Sequence, residues 1–435
     1  MIPTVRVTRG SLGASTRRFT LTRVDGGEPT TPFQCDAGAC QVGSHALNDF
    51  VVTEPTVSRF HCEVGIGPDG AWVRDLGSAN GTLVDGVQVK EAFLRSGSAL
   101  QLGAATLRFS LSTEAAKLPV ARRTRFGDLL GVSTSMRACF SQLERAAATS
   151  RPVLLEGETG TGKTLAAEAI HSESARKDKP FIAFDCSALP GAQLATALFG
   201  REGGADGPRR IGAFEEAGAG TVFLDEVGEL SADLQSRLLV VLEQGELHRG
   251  GTVIRVQARV LAATGRELRS EVNAGRFRPE LFYRLAVLRV VMPPLRERPE
   301  DLPVLVDHLL ERLGIEGPQA DALRSADFLG QLQTAVWPGN VRELRNHLER
   351  CLVLQDALPP LETHREGRGG SASRVDSRLG YAEARRLALD DFERQYLTAL
   401  LAAHRGKVLQ AAAAAGVDRV YLYRLLKRHG IKSGR

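Results

Sequence analysis

The sequence predicts a multidomain chain: an N-terminal all-β sandwich, a central α/β domain with an α-helical lid, and an all-α C-terminal segment. Three observations predict it. At 435 residues the chain exceeds what one ordinary core organises. Short runs of alternating polarity fill residues 1–111, whereas from Phe126 apolar runs alternate with helical stretches. Beyond residue 378 only the helical pattern remains, and positive charge gathers there. A content of 43 % hydrophobic and 25 % charged residues is that of a globular protein in water. No apolar run reaches bilayer length, and residues 1–10 lack the layout of a signal peptide. The expectation is a cytoplasmic protein with no membrane partner. The cysteines, Cys35, Cys40, Cys62, Cys139, Cys186 and Cys351, include no C-x-x-C pair. Buried thiols are expected rather than a disulfide framework or a zinc site.

Within 1–111, strand-like runs at 18–24, 50–53, 62–65, 72–75 and 106–111 are separated by turns such as Pro68-Asp69-Gly70, Ala79-Asn80-Gly81 and Val84-Asp85-Gly86. Residues 112–125 read as a polar, basic linker. Over 126–297 the apolar runs 153–155, 181–184, 222–224 and 260–263 alternate with helical stretches, which predicts a parallel sheet. Strands stop around Pro294, and amphipathic patterns at 301–313 and 341–354 predict a helical lid over 298–357. Residues 358–378, rich in Gly, Pro, Ser and charge, form a second linker. The last domain, 379–435, carries eight Lys or Arg between 405 and 435 against the single acid Asp418. Such local asymmetry suits a phosphate-backbone binder, and so a DNA partner.

Gly157-Glu158-Thr159-Gly160-Thr161-Gly162-Lys163-Thr164 fits the P-loop pattern, between the strand at 153–155 and a helix at 165–171. Backbone N–H groups freed by the glycines close around phosphate oxygens, Lys163 supplies a charge, and Thr164 holds Mg²⁺; the cofactors are ATP and Mg²⁺. The apolar run 221–224 ends in Asp225 and Glu226. Asp225 would order the Mg²⁺ shell with Thr164, and Glu226 would polarise the attacking water of an ATPase.

Further motifs accompany these: Leu198-Phe199-Gly200, G-R-F-R-P-E-L-F-Y-R-L at 275–285, P-P-L-R-E-R at 293–298 and W-P-G-N-V-R-E-L at 337–344. With them, 126–355 resembles the AAA+ domain of the NtrC-type bacterial enhancer-binding activators that work with sigma-54 RNA polymerase. The resemblance implies a homo-oligomeric ring, hexamer or heptamer, with Arg278 and Arg284 as arginine fingers offered to a neighbour's γ-phosphate. It implies Arg342 as the sensor-two arginine and Thr264 as part of sensor one.

Three positions depart from the family. The loop that carries G-A-F-T-G-A and touches sigma-54 is here the shorter segment 201–211, with no aromatic residue or Thr at its tip. Gly212-Ala213-Phe214 falls after that loop, at the expected start of the next strand. The switch asparagine aligns with Asp185, which would repel Glu226 unless the pair shares a proton. The sensor-one asparagine aligns with Gly265.

Residues 4–111 resemble a forkhead-associated (FHA) domain, on Gly43, Val57-Ser58-Arg59, His61 and Asn80-Gly81-Thr82. The resemblance implies a phosphothreonine protein or kinase as partner: Ser58 and Arg59 on the phosphate, Asn80, Gly81 and Thr82 at the peptide, His61 as a brace. The family's arginine after Gly43 is Ser44 here. The end of the chain resembles a Fis-type helix-turn-helix, with a second helix capped by Asp418. Arg419, Tyr421, Tyr423 and Arg424 would face the major groove, and Lys427 and Arg428 the phosphates. Three readings follow: an activator of sigma-54 polymerase, a DNA-bound repressor or sigma-54-independent regulator using ATP for assembly, and a phosphoprotein-binding scaffold.

Overall fold

The computed structural model describes residues 14–354, apart from 29–30, 37, 68–69, 119, 204–207 and 250, together with Leu397, Val408 and Leu426. The groups assigned to DNA, Arg419, Tyr421, Tyr423, Arg424, Lys427 and Arg428, lie outside the described residues.

The first part is a sandwich of two sheets. Its strands are β1 (Ala14–Arg23), β2 (Phe33–Cys35), β3 (Ala39–Gly43), β4 (Phe50–Val51), β5 (Cys62–Gly67), β6 (Gly70–Asp75), β7 (Thr82–Val84), β8 (Val87–Val89), β9 (Glu91–Leu94), β10 (Ala99–Leu102) and β11 (Ala105–Leu118). One sheet runs β2-β1-β11-β10-β7-β8 and the other β4-β3-β5-β6-β9. Alternation along each strand turns one set of side chains inward. Phe19, Leu21, Val42, Val64, Val73, Leu107 and Phe109 thus form the core between the sheets. β11 runs on to Leu118, beyond residue 111, because Ser15, Thr16 and Arg17 of β1 offer it a ladder of backbone hydrogen bonds. Backbone pairing needs no apolar pattern, which is why this stretch reads as polar linker in the sequence.

The α/β part opens with the hairpin β12 (Arg125–Phe126) and β13 (Leu129–Leu130) and with α1 (Thr134–Ala147). Then come β14 (Val153–Glu156), α2 (Lys163–Ser172), β15 (Phe181–Asp185), α3 (Gly191–Phe199), α4 (Ala213–Glu216), β16 (Thr221–Asp225) and α5 (Ala232–Gln244). The hairpin β17 (Glu246–Arg249) and β18 (Thr252–Arg255) precedes β19 (Arg259–Thr264), α6 (Leu268–Asn273), α7 (Pro279–Leu285) and β20 (Leu288–Val291). β15-β16-β19-β14-β20 form a parallel sheet. All four residues of β14 are buried, as a strand covered by helices on both faces requires. The lid is α8 (Leu302–Arg312), α9 (Pro318–Leu323), α10 (Ala326–Gln333) and α11 (Asn340–Leu354), around Leu302, Val306, Phe328, Leu344 and Leu348. No helix among the described residues is long and apolar enough to cross a membrane.

The sandwich and the α/β part share packing. Phe60, fully buried, and Leu76 belong to the apolar cluster that includes Phe277, Leu281 and Phe282. The Phe60 ring meets Phe282 edge-on at 5.4 Å. The Arg269 guanidinium lies 5.5 Å and 5.3 Å from the centres of these two rings, a cation–π arrangement strengthened by exclusion of water. Asn273 Nδ2 donates to the carbonyls of Phe60, at 2.5 Å, and Leu76, at 2.9 Å.

Candidate functional site

At the end of β14 the chain turns through 157–162 into α2. Gly160 has φ of 81°, and a Cβ there would collide with the Gly339 carbonyl, so both backbone conformation and close approach of the lid require glycine. Lys163, only 6 % exposed, donates from Nζ to the carbonyls of Gly157, at 2.9 Å, and Glu158, at 3.2 Å. Its Nζ lies 3.7 Å from Glu226 Oε1. Thr161 Oγ1 donates to the Glu158 carbonyl at 2.8 Å, which closes the loop on itself.

Thr164 Oγ1 donates to Asp225 Oδ2 at 3.1 Å, so the first turn of α2 and the end of β16 place two hard oxygens together. They suit Mg²⁺, which takes few protein ligands and fills its octahedron with phosphate and water oxygens. Glu226 follows with φ of 51° and accepts the Gly265 N–H at 2.9 Å. Thr264 is buried, and its hydroxyl oxygen accepts the Arg266 N–H at 3.0 Å. Its carbonyl accepts the Gly157 N–H at 3.3 Å, so Thr264 meets the phosphate loop through its backbone.

Asp185 is engaged by a local turn. Its Oδ1 accepts the Ser187 N–H at 2.8 Å and hydroxyl at 2.6 Å. A local turn competes successfully for the carboxylate because its donors are only two residues away. Asp185 still stands beside Asp225 in the β15–β16 register. Burial pushes the neighbouring Cys186 thiol up to about 12, with Asp185, Asp225 and Glu226 adding to the effect.

A Cβ on Gly265 would lie 3.4 Å and 3.5 Å from the Glu226 carboxylate oxygens and 3.7 Å from Thr159 Oγ1, ordinary contact distances. A Cβ therefore fits, with the Glu226 carboxylate beside it. Gly265→Asn is expected to raise ATP turnover roughly tenfold by orienting Glu226, with nucleotide affinity unchanged. Steady-state phosphate release checks this, and an unchanged or lower kcat counts against a missing sensor amide.

The lid supplies what the sequence pattern did not single out. Asn340, fully buried and at φ of 51°, donates from Nδ2 to the Thr159 carbonyl at 3.0 Å and to Glu158 Oε2 at 3.1 Å. Its Oδ1 accepts the Leu295 N–H at 2.7 Å. The Val341 N–H donates to the Gly160 carbonyl at 3.1 Å, which brings exposed Arg342 beside the phosphate loop. Arg296 pairs with Glu158 at 2.6 Å and, with help from Asn340, holds its carboxyl below the ordinary range. The available signal was an asparagine, tolerant of left-handed backbone, directly after Pro338-Gly339.

Arg278 caps α7 and Arg284 lies in its last turn. Both are exposed, and Arg284 pairs with Glu243 at 3.1 Å. Among the described residues neither is hydrogen-bonded to the phosphate loop.

Arg201 and Arg210 bridge backbone to backbone at 2.9 Å, closing the loop between α3 and α4. Arg249 anchors its base through Glu202, at 3.0 Å, and Glu215, at 2.8 Å. Gly212-Ala213-Phe214 lies after the loop, but in the turn of α4 rather than at the start of β16. Phe214 is buried and stacks on Phe199 at 5.7 Å, so apolar burial fixes that turn.

In the sandwich the loops implicated in phosphothreonine recognition converge at one end. Ser58 Oγ accepts the Ala79 N–H at 2.9 Å, and Asn80 Nδ2 donates to the Thr56 carbonyl at 2.7 Å. Fully buried His61 accepts the Ser58 N–H on Nδ1, at 3.1 Å, and its Nε2 lies 3.1 Å from the Gly81 carbonyl. Burial lowers its pKa, so it braces the loops as a neutral ring. Arg59 is exposed above them. Thr82 is different: it is buried and donates to Asp75 Oδ2 at 2.7 Å, so its hydroxyl serves the fold.

Residues 129–291 match the Sigma-54 interaction domain family, 40–103 the FHA domain family and 296–361 the AAA+ ATPase lid domain family. The chain is 36% identical over 381 residues to the anaerobic nitric oxide reductase transcription regulator NorR of Aeromonas salmonicida, covering 81% of this chain and 74% of that protein. It is 38% identical over 318 residues to the transcriptional regulatory protein ZraR of Salmonella typhi, covering 72% and 71%. It spans about half the length of other relatives, 44% for the Nif-specific regulatory protein of Azotobacter vinelandii, which is 45% identical over 52% of this chain. A crystal structure of NtrX from Brucella abortus in complex with ATP aligns with TM-score 0.49 and 31% identity over 71% of each chain.

Proposed function

Because the chain belongs to the family of NtrC-type, sigma-54-linked AAA+ transcription regulators, we propose that it is an ATP-dependent, DNA-binding regulator of the cytoplasm that assembles as a homo-oligomeric ring and takes its signal through the FHA domain. The observation that carries the reading is the meeting of Lys163, Thr164, Asp225 and Glu226 at the ends of β14 and β16, with Asn340 and Arg342 above them. Lys163 holds carbonyls that phosphate oxygens would replace, and Thr164 with Asp225 would hold Mg²⁺. A Mg²⁺ held there would supply charge neutralisation for the phosphates. The Gly265 N–H holds one oxygen of Glu226, and the other would orient water. Arg278 and Arg284 act on a neighbour's nucleotide, so hydrolysis requires the ring. The DNA contacts are assigned to Arg419, Tyr421, Tyr423, Arg424, Lys427 and Arg428, and the phosphothreonine contacts to Ser58, Arg59 and Asn80.

Within this reading we favour a regulator that does not open sigma-54 promoter complexes. The loop 201–211 contains Gly207-Pro208 and no aromatic residue. A Gly-rich tip buries little apolar area and is costly to order. With sigma-54 polymerase, a matched promoter and ATP, the protein is expected to yield no heparin-resistant open complexes. Robust complexes would make it a conventional activator. Deleting 379–435 is expected to remove specific DNA binding while ATP binding persists. A truncated protein that still shifts its specific DNA would overturn the assignment of the C-terminus.

A further inference from the structure

The arginine missing after Gly43 leaves the phosphothreonine reading one donor short, and the next residue along stands where a replacement is needed. The Ser44 N–H donates to the Ser58 carbonyl at 3.0 Å, and the His45 N–H to the Arg59 carbonyl at 3.2 Å. This short ladder runs His45 alongside the segment that carries both phosphate-binding candidates. Its Nδ1 accepts the Leu47 N–H at 3.2 Å, which puts the ring proton on Nε2, at the opposite edge. The imidazole stacks on the Tyr283 ring of α7, with centroids 4.2 Å apart and planes at 13°. Burial, then the Arg59 charge, holds His45 below its ordinary pKa, while burial, opposed by Arg59, raises that of the Tyr283 hydroxyl. Arg59 itself is exposed and has no carboxylate partner among the described residues. A guanidinium without a counter-charge, beside an imidazole N–H donor, is chemistry that suits a doubly charged phosphate.

We propose that the phosphothreonine site is a composite of two domains: His45 Nε2–H and Arg59 take the phosphate, and Tyr283 of the ATPase holds the His45 ring in place. The proposal rests on the phosphothreonine reading given above and extends it in two ways. His45 becomes the substitute for the absent arginine, and Tyr283 becomes a positioning residue that never touches the ligand. Tyr283 immediately precedes Arg284, and the adjoining Phe282 packs on Phe60 from the same loop. Occupancy of the FHA site is therefore linked to the setting of the helix that carries the arginine finger. By thermodynamic reciprocity, whatever factor the α7 contact adds to phosphopeptide affinity, the phosphopeptide adds to that setting of α7.

The test uses the full chain and two fluorescein-labelled degenerate peptide pools, one with a fixed central phosphothreonine and one with threonine, read by anisotropy. Nucleotide affinity of the same samples reports that each variant is folded. Wild type is expected to prefer the phosphorylated pool, and Ser58→Ala to lose that preference. His45→Ala should lower the preference about tenfold, the order expected for one charge-assisted hydrogen bond, while His45→Gln, which keeps an N–H donor, retains most of it. Tyr283→Leu should lower it several-fold, and Tyr283→Phe, which keeps the stacking ring, should bind as wild type does. If wild type prefers the phosphorylated pool and Ser58→Ala loses it, but His45→Ala and Tyr283→Leu stay within about twofold of wild type, the composite site is overturned and the phosphothreonine reading stands. If wild type does not distinguish the pools, both fall.

Discussion

Lys163→Ala is expected to reduce ATP affinity by more than a hundredfold. Lys163 is the only cation in the loop 157–164, and it sits almost wholly out of water at the N-terminus of α2. Losing one partner of a desolvated, hydrogen-bonded charge pair typically costs about 3 kcal/mol or more, which is over two decades in Kd. The helix N-terminus and the backbone N–H groups remain, but they carry only partial charge. In the free protein the substitution removes two hydrogen bonds to carbonyls and the cation nearest Glu226, so some loss of stability accompanies it. Titration with a fluorescent ATP analogue, alongside thermal unfolding, separates the two effects. An affinity within about threefold of wild type in a folded variant would remove the basis for the nucleotide site.

The second large effect is at Asn340, whose side chain joins the lid to the phosphate loop from both ends. Asn340→Ala leaves the Leu295 N–H unpartnered in a buried position, at about 1–3 kcal/mol, and frees the Thr159 carbonyl and Glu158 carboxylate from their shared donor. Alanine at a φ of 51° adds about 1 kcal/mol more. A total of about 2–4 kcal/mol is large beside the stability of a single domain, and a fall of roughly 10 °C in the ATPase unfolding midpoint is expected. Asn340→Gly, which tolerates the backbone conformation, should recover only the smaller part. Asn340→Asp keeps the acceptor for Leu295 but sets a carboxylate against Glu158, so it should weaken ATP binding more than it lowers the midpoint. Calorimetry and nucleotide titration of the three variants check this order; equal effects in all three would show that the amide contributes nothing specific.

These residues mark the division between what a linear reading can reach and what it cannot. The phosphate loop, Asp225 and Glu226 were legible because strand, turn, helix and acid-tipped strand are each written in consecutive residues. Periodicity within a few turns suffices to identify such units. The β-sandwich was legible for the same reason, while the extension of β11 to Leu118 was not, because a backbone ladder leaves no apolar signature. The pairing of Asp185 with Ser187 depends on rotamer and donor geometry that alignment does not carry. Likewise Thr82 belongs to a recognisable motif and still turns inward to Asp75.

By itself the sequence determined a β-sandwich followed by an α/β domain with a helical lid, a nucleotide-binding loop with an acid-tipped strand, and the absence of an aromatic residue from the loop at 201–211. Only the tertiary structure decided that Glu226 rests on the Gly265 N–H, that Asn340 ties the lid to the phosphate loop, and that Phe60 and His45 pack against the helix bearing Arg284. The physical reason is range. A loop that binds phosphate is encoded by the conformational freedom of neighbouring glycines, whereas Asn340 and Glu158 are 182 positions apart and Asn273 and Phe60 are 213 apart. Contacts at such separations depend on which faces two folded elements present to each other, and a buried phenylalanine or asparagine looks the same in the chain whether it fills its own core or closes another domain's.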